Sequence, residues 1–374
     1  MAQTVRRPKV LKTDWGIMII ALLMLVLGLV MVYSASYGFA LMEGASWAPA
    51  DFFVRRQAIF AGLGLVAMLV LSRIDYRLYR RYAVHILVLT LLILVMMAFV
   101  GRWFLRGARS SVQPVEIAKV GAMIYIAVWL ASKGIEIRNL SLGMIPFALL
   151  LGGIAGLIVA QPDFSTAVLL VATATAMFFV AGADMKQLLI AFLFGGVALV
   201  LVALTARYRF ERIDLWLASP FSDVLGRGFQ PVQSLVALNR GGWLGVGLGQ
   251  SQQKFTLYAP HTDGMFAIIG EEFGFIGAVG VVALYGLWTW RGLRMARRVA
   301  DPFGMLLAVG LVSWVAFQAM LHIAVITAST PFTGTVLPLI SYGGSSLVSS
   351  LAQVGILLSI SRVGSSASSE EDRP

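Results

Sequence analysis

The sequence predicts an all-α integral membrane protein, a bundle of ten transmembrane helices with a large extracytoplasmic loop between the seventh and eighth. Of the 374 residues, 59% are apolar and only 13% are charged. Long apolar runs also recur from one end of the chain to the other. About 20 apolar residues cross a bilayer as a helix. Since these runs are far too long for barrel strands, helices are the structure that satisfies their backbone in lipid.

Ten runs have the length of a membrane span. Together with their connections they predict one membrane domain, residues 13–362, between a cytoplasmic N-terminal segment, 1–12, and a polar tail, 363–374, that we expect to be disordered and cytoplasmic. The chain has no cysteine, which excludes disulfides and thiolate chemistry. The predicted spans are 15–37, 54–72, 80–100, 113–131, 143–161, 164–182, 186–205, 264–290, 303–326 and 345–361.

Basic residues predict the orientation of the bundle. With ten spans, the basic groups before the first span, after the second and after the eighth all fall on one side, together with the C-terminus. Basic loops stay in the cytoplasm, so both termini are predicted to be cytoplasmic. The net charge of +11 then indicates topology and attraction to anionic lipid rather than nucleic-acid binding. The groups are Arg6, Arg7, Lys9 and Lys12; Arg73, Arg77, Arg80 and Arg81; and Arg291, Arg294, Arg297 and Arg298.

The segment 206–263 falls on the outer side and is unusually long for a connection. Loops of this length in compact proteins are functional or disordered. Its aromatic residues, which include Trp216, Trp243 and Tyr258, argue against disorder. We therefore expect a folded segment that lies on the membrane surface or dips into it.

Glu116 and Lys119 lie inside the fourth predicted span, three residues apart and so on one helix face. Ionisable side chains are costly within a membrane and mark functional sites by default. The pair indicates a polar cavity that needs both an acid and a cation. The alternative is a structural ion pair in which Glu116 complements the helix dipole.

Other charged residues cluster at the outer ends of the predicted spans. Asp163 is placed to cap the sixth span. Four arginines precede the second and fourth spans on the outer side, against the general trend of basic residues. They either snorkel to lipid headgroups or converge on a phosphate, which guanidinium groups bind well. These arginines are Arg55, Arg56, Arg106 and Arg109.

Three acids mark the start of the eighth predicted span. Asp263 opens it, and Glu271 and Glu272 stand side by side within it. Asp263 either caps this helix or supplies a functional carboxylate, and one of the glutamates is expected to pair with an arginine of another helix. Small residues on the stripe below Asp263 predict a groove that admits a neighbouring helix or an acyl chain. They are Ala267, Gly270 and Gly274.

Two local motifs are misleading. The glycine-rich stretch 245–249 has no flanking strand and helix, so it does not predict a dinucleotide site. The Ser-x-x-Lys match at 251–254 lacks the Lys-Thr-Gly motif that accompanies it in transpeptidases, which argues against acyl transfer.

With these residues in view, the chain resembles the SEDS family (shape, elongation, division, sporulation) over about residues 12–362. Within the family it is more similar to the division branch, FtsW, than to the elongation branch, RodA. Seven motifs carry the resemblance. They are FFVRRQ at 52–57, QPVEIAK at 113–119, QPDFSTA at 161–167, GVGLGQSQQKF at 245–255, HTDGMFAIIGEEFGFIG at 261–277, DPFGMLLAVGLVSWVAFQA at 301–319 and LPLISYGGSSL at 337–347.

The resemblance implies a peptidoglycan glycosyltransferase of the bacterial inner membrane. Such proteins polymerise lipid II, a disaccharide peptide linked to undecaprenyl pyrophosphate, and work with a class B penicillin-binding protein. Asp263 matches the essential aspartate of the family and is the predicted general base. Alternatives are a lipid II flippase or a division scaffold. The predicted substrate contacts are Arg56, Arg109, Gln113, Glu116, Lys119, Lys254, His261 and Thr262.

No cofactor follows with certainty from the resemblance, and no metal site is predicted from the residues. A divalent cation, Mg²⁺ or Mn²⁺, stays open, and Asp263 would be its contact.

Overall fold

The computed structural model describes residues 13–42, 51–104, 113–161 and 163–364, and within them the protein is helical, with no β-strand. The predicted all-α class is confirmed. The α-helices in that part of the chain are α1 (Trp15–Met42), α2 (Phe52–Arg73), α3 (Arg77–Arg81), α4 (Ala83–Phe104), α5 (Val115–Lys133), α6 (Ile145–Val159), α7 (Phe164–Val180), α8 (Met185–Leu204), α9 (Arg207–Ala218), α10 (Phe229–Gly241), α11 (Met265–Ala296), α12 (Pro302–Ile326) and α13 (Gly344–Gly364).

Each predicted span overlaps a long helix of the structure. Eight candidate spans are long and apolar enough to cross a membrane, and they lie on α1, α2, α5, α6, α8, α11, α12 and α13. The apolar parts of α4 and α7, Ala83–Phe99 and Phe164–Val180, are shorter. The helical membrane protein is therefore confirmed, while the count of ten crossings stays a prediction.

Helix α12 lies at the centre of the bundle and packs against α5, α7, α11 and α13. Its side chains are buried around most of its circumference, and Trp314 is almost fully enclosed. Helices α2 and α13 form the most extensive helix pair. Glycines allow that contact, since a Cβ on Gly355 would lie 2.5 Å from the carbonyl oxygen of Met68. Close backbone approach through small residues is the usual way in which membrane helices associate.

The segment 206–263 is folded. It contains α9 and α10, two short 3₁₀ turns at Pro220–Asp223 and Gln253–Phe255, and the glycine-rich stretch between them. Helix α9 contacts the end of α8, and α10 packs along the start of α11.

Helix α11 is broken at Gly274, whose φ of 67° and ψ of −166° are not helical. In a regular helix the amides of Phe275 and Ile276 would bond to the carbonyls of Glu271 and Glu272. The segment 242–247 lies against the helix at this point and forms hydrogen bonds with these two amides and these two carbonyls instead. The four bonds are Phe275 N to Gly242 O at 2.8 Å, Ile276 N to Trp243 O at 3.3 Å, Val246 N to Glu271 O at 3.0 Å and Gly247 N to Glu272 O at 3.0 Å.

The stripe of small residues beneath Asp263 is covered by protein. A Cβ on Gly270 would lie 2.4 Å from the side chain of Leu238 in α10, and one on Gly274 would lie 2.3 Å from the amide nitrogen of Gly245. A neighbouring helix and loop therefore fill the predicted groove. Of the two predicted occupants, the neighbouring helix is the one that the structure shows, and no space is left for an acyl chain at Gly270 and Gly274.

Candidate active site

A cavity of about 1030 Å³ opens where several helix ends meet. It lies at the end of the bundle formed by the starts of α5, α7, α11 and α13 and by the ends of α6 and α12, with α9 across it. Five residues predicted from the sequence line it together with Asp163. They are Gln113, Glu116, Lys119, Thr262 and Asp263.

Asp263 presents a carboxylate to this cavity. It precedes α11, whose N-cap residue is Gly264, and the side chain that accepts from the first turn is that of His322, whose Nε2 lies 3.4 Å from the amide nitrogen of Phe266. The alternative that Asp263 merely caps the helix is therefore wrong. Burial raises the pKa of Asp263 from 3.8 to about 6, and the positive charge of Arg212 opposes that rise. A carboxyl group with a pKa near 6 is a competent proton acceptor at neutral pH.

Space is left beside that carboxylate. A Cβ on Gly334 would lie 3.1 Å from Asp263 Oδ2. The segment that carries Gly334, residues 330–336, follows α12 and forms one wall of the cavity. A larger side chain at Gly334 would crowd the carboxylate.

Glu116 and Lys119 form an ion pair on the wall of the cavity. The Lys119 side chain is only 2% exposed, and its Nζ lies 5.1 Å from the centre of the Trp314 ring. Trp314 Nε1 donates to Gln318 Oε1 at 2.9 Å. The amine of Lys119 is therefore held between a carboxylate and an aromatic face, two groups that attract a cation.

The starts of α5 and α13 are joined at the cavity. Ser345 Oγ accepts a hydrogen bond of 2.8 Å from the amide of Gln113, and Ser349 Oγ donates at 2.8 Å to the carbonyl of Glu116. These bonds place the start of α5, which carries the ion pair, against α13.

Asp163 has the role that its position predicts. Its Oδ1 accepts a bond of 3.1 Å from the amide of Thr166, so it caps α7. It also lines the cavity.

Two arginines of α9 were missed by sequence reasoning. Arg209 is buried, and its guanidinium donates at 3.2 Å to the carbonyls of Val159 and Val202, which ties the ends of α6 and α8 together. Arg212 is exposed, lines the cavity and donates at 3.2 Å to the carbonyl of Phe332. Basic residues are unusual in a segment predicted to be external. This feature of the sequence could have identified both arginines as candidates.

Other predicted contacts lie outside this cavity. Lys254 is buried, and its Nζ donates at 2.6 Å to the carbonyl of Gly249, which is a structural role. His261 packs on Phe53 and Tyr342, with ring centres 4.5 and 5.5 Å away. Burial lowers the pKa of His261 to about 4, so its ring is neutral at pH 7.

The two remaining predicted contacts are arginines. Arg56 lies near the start of α2 and is half-buried, but it is not part of the cavity wall. Arg109 lies outside the described residues, so its predicted contact stays a prediction.

The two glutamates of α11 are structural. Glu271 accepts hydrogen bonds from Ser251 Oγ at 2.5 Å and from the amides of Gln252 and Gln253, and Arg240 of α10 lies 3.5 Å away. The expected pairing with an arginine of another helix is confirmed. Glu272 accepts a bond of 2.6 Å from Ser34 of α1. Of the three acids, Asp263 alone lines the cavity, within the described part of the chain.

The described residues offer no cluster of three His, Asp or Glu side chains that could hold a metal ion. A divalent cation bound at Asp263 would therefore depend on oxygen ligands from the substrate, as Mg²⁺ often does.

The fold and cavity define a class: a polytopic helical membrane protein whose polar cavity holds a carboxylate and a buried lysine. The chain belongs to the FtsW, RodA and SpoVE family, whose model, described as cell cycle protein, matches residues 14–366. The predicted family is confirmed.

Two curated relatives illustrate the match. Stage V sporulation protein E of Bacillus subtilis (strain 168) is 40% identical over 358 residues, which cover 93% of this chain and 97% of that protein. A probable peptidoglycan glycosyltransferase FtsW of Trichlorobacter lovleyi is 37% identical over 372 residues, 96% of each chain.

Solved structures share the fold. A chain of the structure described as "Structural coordination of polymerization and crosslinking by a peptidoglycan synthase complex" has a TM-score of 0.75 and 28% identity, and covers 95% of this chain and 99% of its own. The rod shape determining protein RodA of Thermus thermophilus has a TM-score of 0.69 and 27% identity, with coverage of 95% and 98%.

Proposed function

We propose that this protein is a peptidoglycan glycosyltransferase that polymerises lipid II, with Asp263 as the general base. The observation that carries the proposal is one cavity holding the Asp263 carboxylate, which does not cap its helix, together with the buried Lys119–Glu116 pair. The names of the relatives support the same reaction.

The reaction needs a proton acceptor beside a place for a negatively charged leaving group. A sugar hydroxyl oxygen of one lipid II bonds to the anomeric carbon of the other substrate. The bond from that carbon to the pyrophosphate oxygen breaks, and the electron pair leaves with the lipid pyrophosphate. The hydroxyl proton passes to Asp263, whose pKa of about 6 leaves it mostly deprotonated at neutral pH.

Cations of the cavity would stabilise the leaving pyrophosphate. Lys119 is fixed and shielded from water, where a charge acts more strongly than in bulk solvent. Arg212 stands on the α9 side and offers a guanidinium, which suits phosphate oxygens. Glu116 orients Lys119, and Gln113 and Thr262 line the wall where polar groups of the substrate would bind.

The proposed topology has ten crossings, both termini in the cytoplasm and residues 206–263 outside. It places the cavity at the outer surface, where the saccharide of lipid II lies. A Ser222→Cys variant tests it, since the native chain has no cysteine. An impermeant thiol reagent should label it from outside the cell. Labelling from the cytoplasmic side alone would overturn the topology.

We further propose a class B penicillin-binding protein as the partner. The support is a neighbouring structure that is described as a peptidoglycan synthase complex for polymerisation and crosslinking. Co-purification with a monofunctional transpeptidase of the same organism tests the proposal, and failure to co-purify would count against it.

The decisive experiment is polymerisation of lipid II by the purified protein, with and without that partner. Asp263→Asn keeps the size of the side chain but cannot accept the proton. It should therefore bind lipid II and make almost no glycan, since general-base assistance is worth about a hundred- to ten-thousand-fold. A flippase or a scaffold would tolerate the change. Near-normal polymerisation by the variant at matched protein level would remove Asp263 from the mechanism.

A further inference from the structure

A second cavity, of about 520 Å³, adjoins the first one. Its wall is built from α9, the start of α10 and the end of α12. Four residues line both cavities: Tyr208, Arg212, Thr330 and Phe332. The second cavity therefore lies directly beside the space around Asp263, with these four side chains between the two, and its volume lies in the range of small-ligand sites, about 300–1,000 Å³.

The wall of the second cavity is rich in aromatic rings. Tyr208, Trp216, Phe229, Tyr258 and Phe332 contribute to it. Trp216 is held in place because its Nε1 donates at 3.0 Å to the carbonyl of Ala328. Aromatic faces carry partial negative charge and attract polarised C–H groups, such as those on the faces of a sugar ring.

Apart from Arg212, which it shares with the first cavity, its polar groups suit an uncharged ligand better than a phosphate. The side chains of Gln230, Glu211 and Thr256 offer donors and acceptors for hydroxyl groups. Arg227 is exposed and lies 3.6 Å from Asp223, which offsets its charge. The lysine among the described residues that line the two cavities is Lys119, and it belongs to the first cavity, so a pyrophosphate would bind there.

We infer that the second cavity binds saccharide units of the growing glycan strand beyond the unit that reacts at Asp263. This inference rests on the proposed function. The growing strand would be the donor: its reducing end, with the lipid pyrophosphate, occupies the first cavity, and the next sugars extend past Tyr208 and Arg212 into the second.

The inference predicts a dependence on chain length. The first coupling joins two lipid II molecules, and neither carries sugars beyond its own disaccharide. Every later coupling has such sugars. Loss of contacts in the second cavity should therefore reduce elongation relative to the first coupling, and short lipid-linked products should accumulate.

Tyr258→Ala and Gln230→Ala test this. Tyr258 is 80% exposed, so its truncation opens no hole in the core. The matched control is Phe221→Ala, an exposed aromatic residue of the same segment that lines neither cavity. The measurement is the ratio of long glycan to lipid-linked tetrasaccharide formed from lipid II. Each test variant should lower this ratio about fivefold or more, as is common for truncating a side chain central to a binding site. The control should keep the wild-type ratio.

A binding measurement adds a second readout. A lipid-free glycan fragment of two disaccharide units should inhibit elongation by the wild type, and this inhibition should weaken in Tyr258→Ala. If undecaprenyl phosphate inhibits the wild type more strongly than Tyr258→Ala, and the glycan fragment inhibits neither, the cavity holds a lipid chain and the inference is wrong.

The outcomes separate the inference from the proposed function. If the wild type makes no polymer from lipid II, the proposed function fails. If the wild type polymerises and both test variants keep its product lengths, only the assignment of the second cavity fails. Equal shortening by Phe221→Ala would attribute the effect to the fold of the segment and would also refute the assignment.

Discussion

Asp263 should make the reaction depend on pH in a range where an ordinary aspartate would not. Burial raises its pKa from 3.8 to about 6. Only the deprotonated carboxylate accepts a proton. The polymerisation rate should therefore be half-maximal near pH 6 and should fall about tenfold for each pH unit below that value. With a pKa of 3.8 the rate would stay nearly flat down to about pH 5.

The same shift has a consequence for stability. Because the pKa of Asp263 is raised in the folded state, its contribution to stability is fully present below pH 3.8 and is lost as the pH rises through about 6. At neutral pH the charged carboxylate lowers the free energy of unfolding by at most about 3 kcal/mol relative to a neutral side chain. Screening by water at this half-buried site reduces that cost. Asp263→Asn should therefore unfold at a higher temperature than the wild type at pH 7.5 while losing activity.

The assays are the initial rate of lipid II polymerisation between about pH 5 and about pH 8, and thermal unfolding in detergent at the two ends of that range. Arg212→Gln identifies the titrating group, because Arg212 holds the pKa of Asp263 down and its loss should move the midpoint to higher pH. A flat rate profile, or a midpoint unmoved by Arg212→Gln, would refute the assignment of the base. An Asn variant less stable than the wild type at neutral pH would refute the burial argument.

Three further predictions concern other parts of the site. Alanine at Glu116 or Lys119 alone should abolish polymerisation and cost about 3–5 kcal/mol, since it strands a buried charge; a double variant that regains both stability and activity would make the pair purely structural. Gly274→Ala should cost at least about 1–3 kcal/mol because φ is positive there, whereas Gly280→Ala in the same helix, with open space around it, should be tolerated in thermal unfolding. Asp163→Ala should lower stability by about 1 kcal/mol through the lost cap and Asp163→Asn should not; equal losses in both would contradict the capping role.

Much of the site could be predicted because a membrane makes local signals strong. Lipid offers no partner to a charge, so an acid and a lysine three residues apart in an apolar run had to meet each other or line a cavity. Glu116 and Lys119 do both. The helices were predictable for the same reason, since apolar length is directly visible in the sequence.

Contacts between distant parts of the chain could not be predicted in this way. Glu272 is held by Ser34, 238 residues away, and nothing near either residue marks the pair. The approach of Arg212 to Asp263 depends on how α9 lies across the cavity. Lys254 stands in a family motif, and only the fold shows that its amine is used within its own loop.

The break in α11 explains why a glycine-rich stretch and two glutamates occur beside the proposed base. Segment 242–247 takes the hydrogen bonds that would continue the helix past Gly274. Glu271 also accepts hydrogen bonds from Ser251 and from the amides of Gln252 and Gln253, which follow segment 242–247 in the chain. The part of α11 before Gly274 is thus bonded to the segment 206–263 as well as to the rest of its own helix. Asp263 stands at the start of that part, so its position depends on the folded segment 206–263 as much as on the bundle. Irregular backbone inside a helical membrane protein is tolerated where protein groups satisfy the freed carbonyls and amides, as the four hydrogen bonds at this break do.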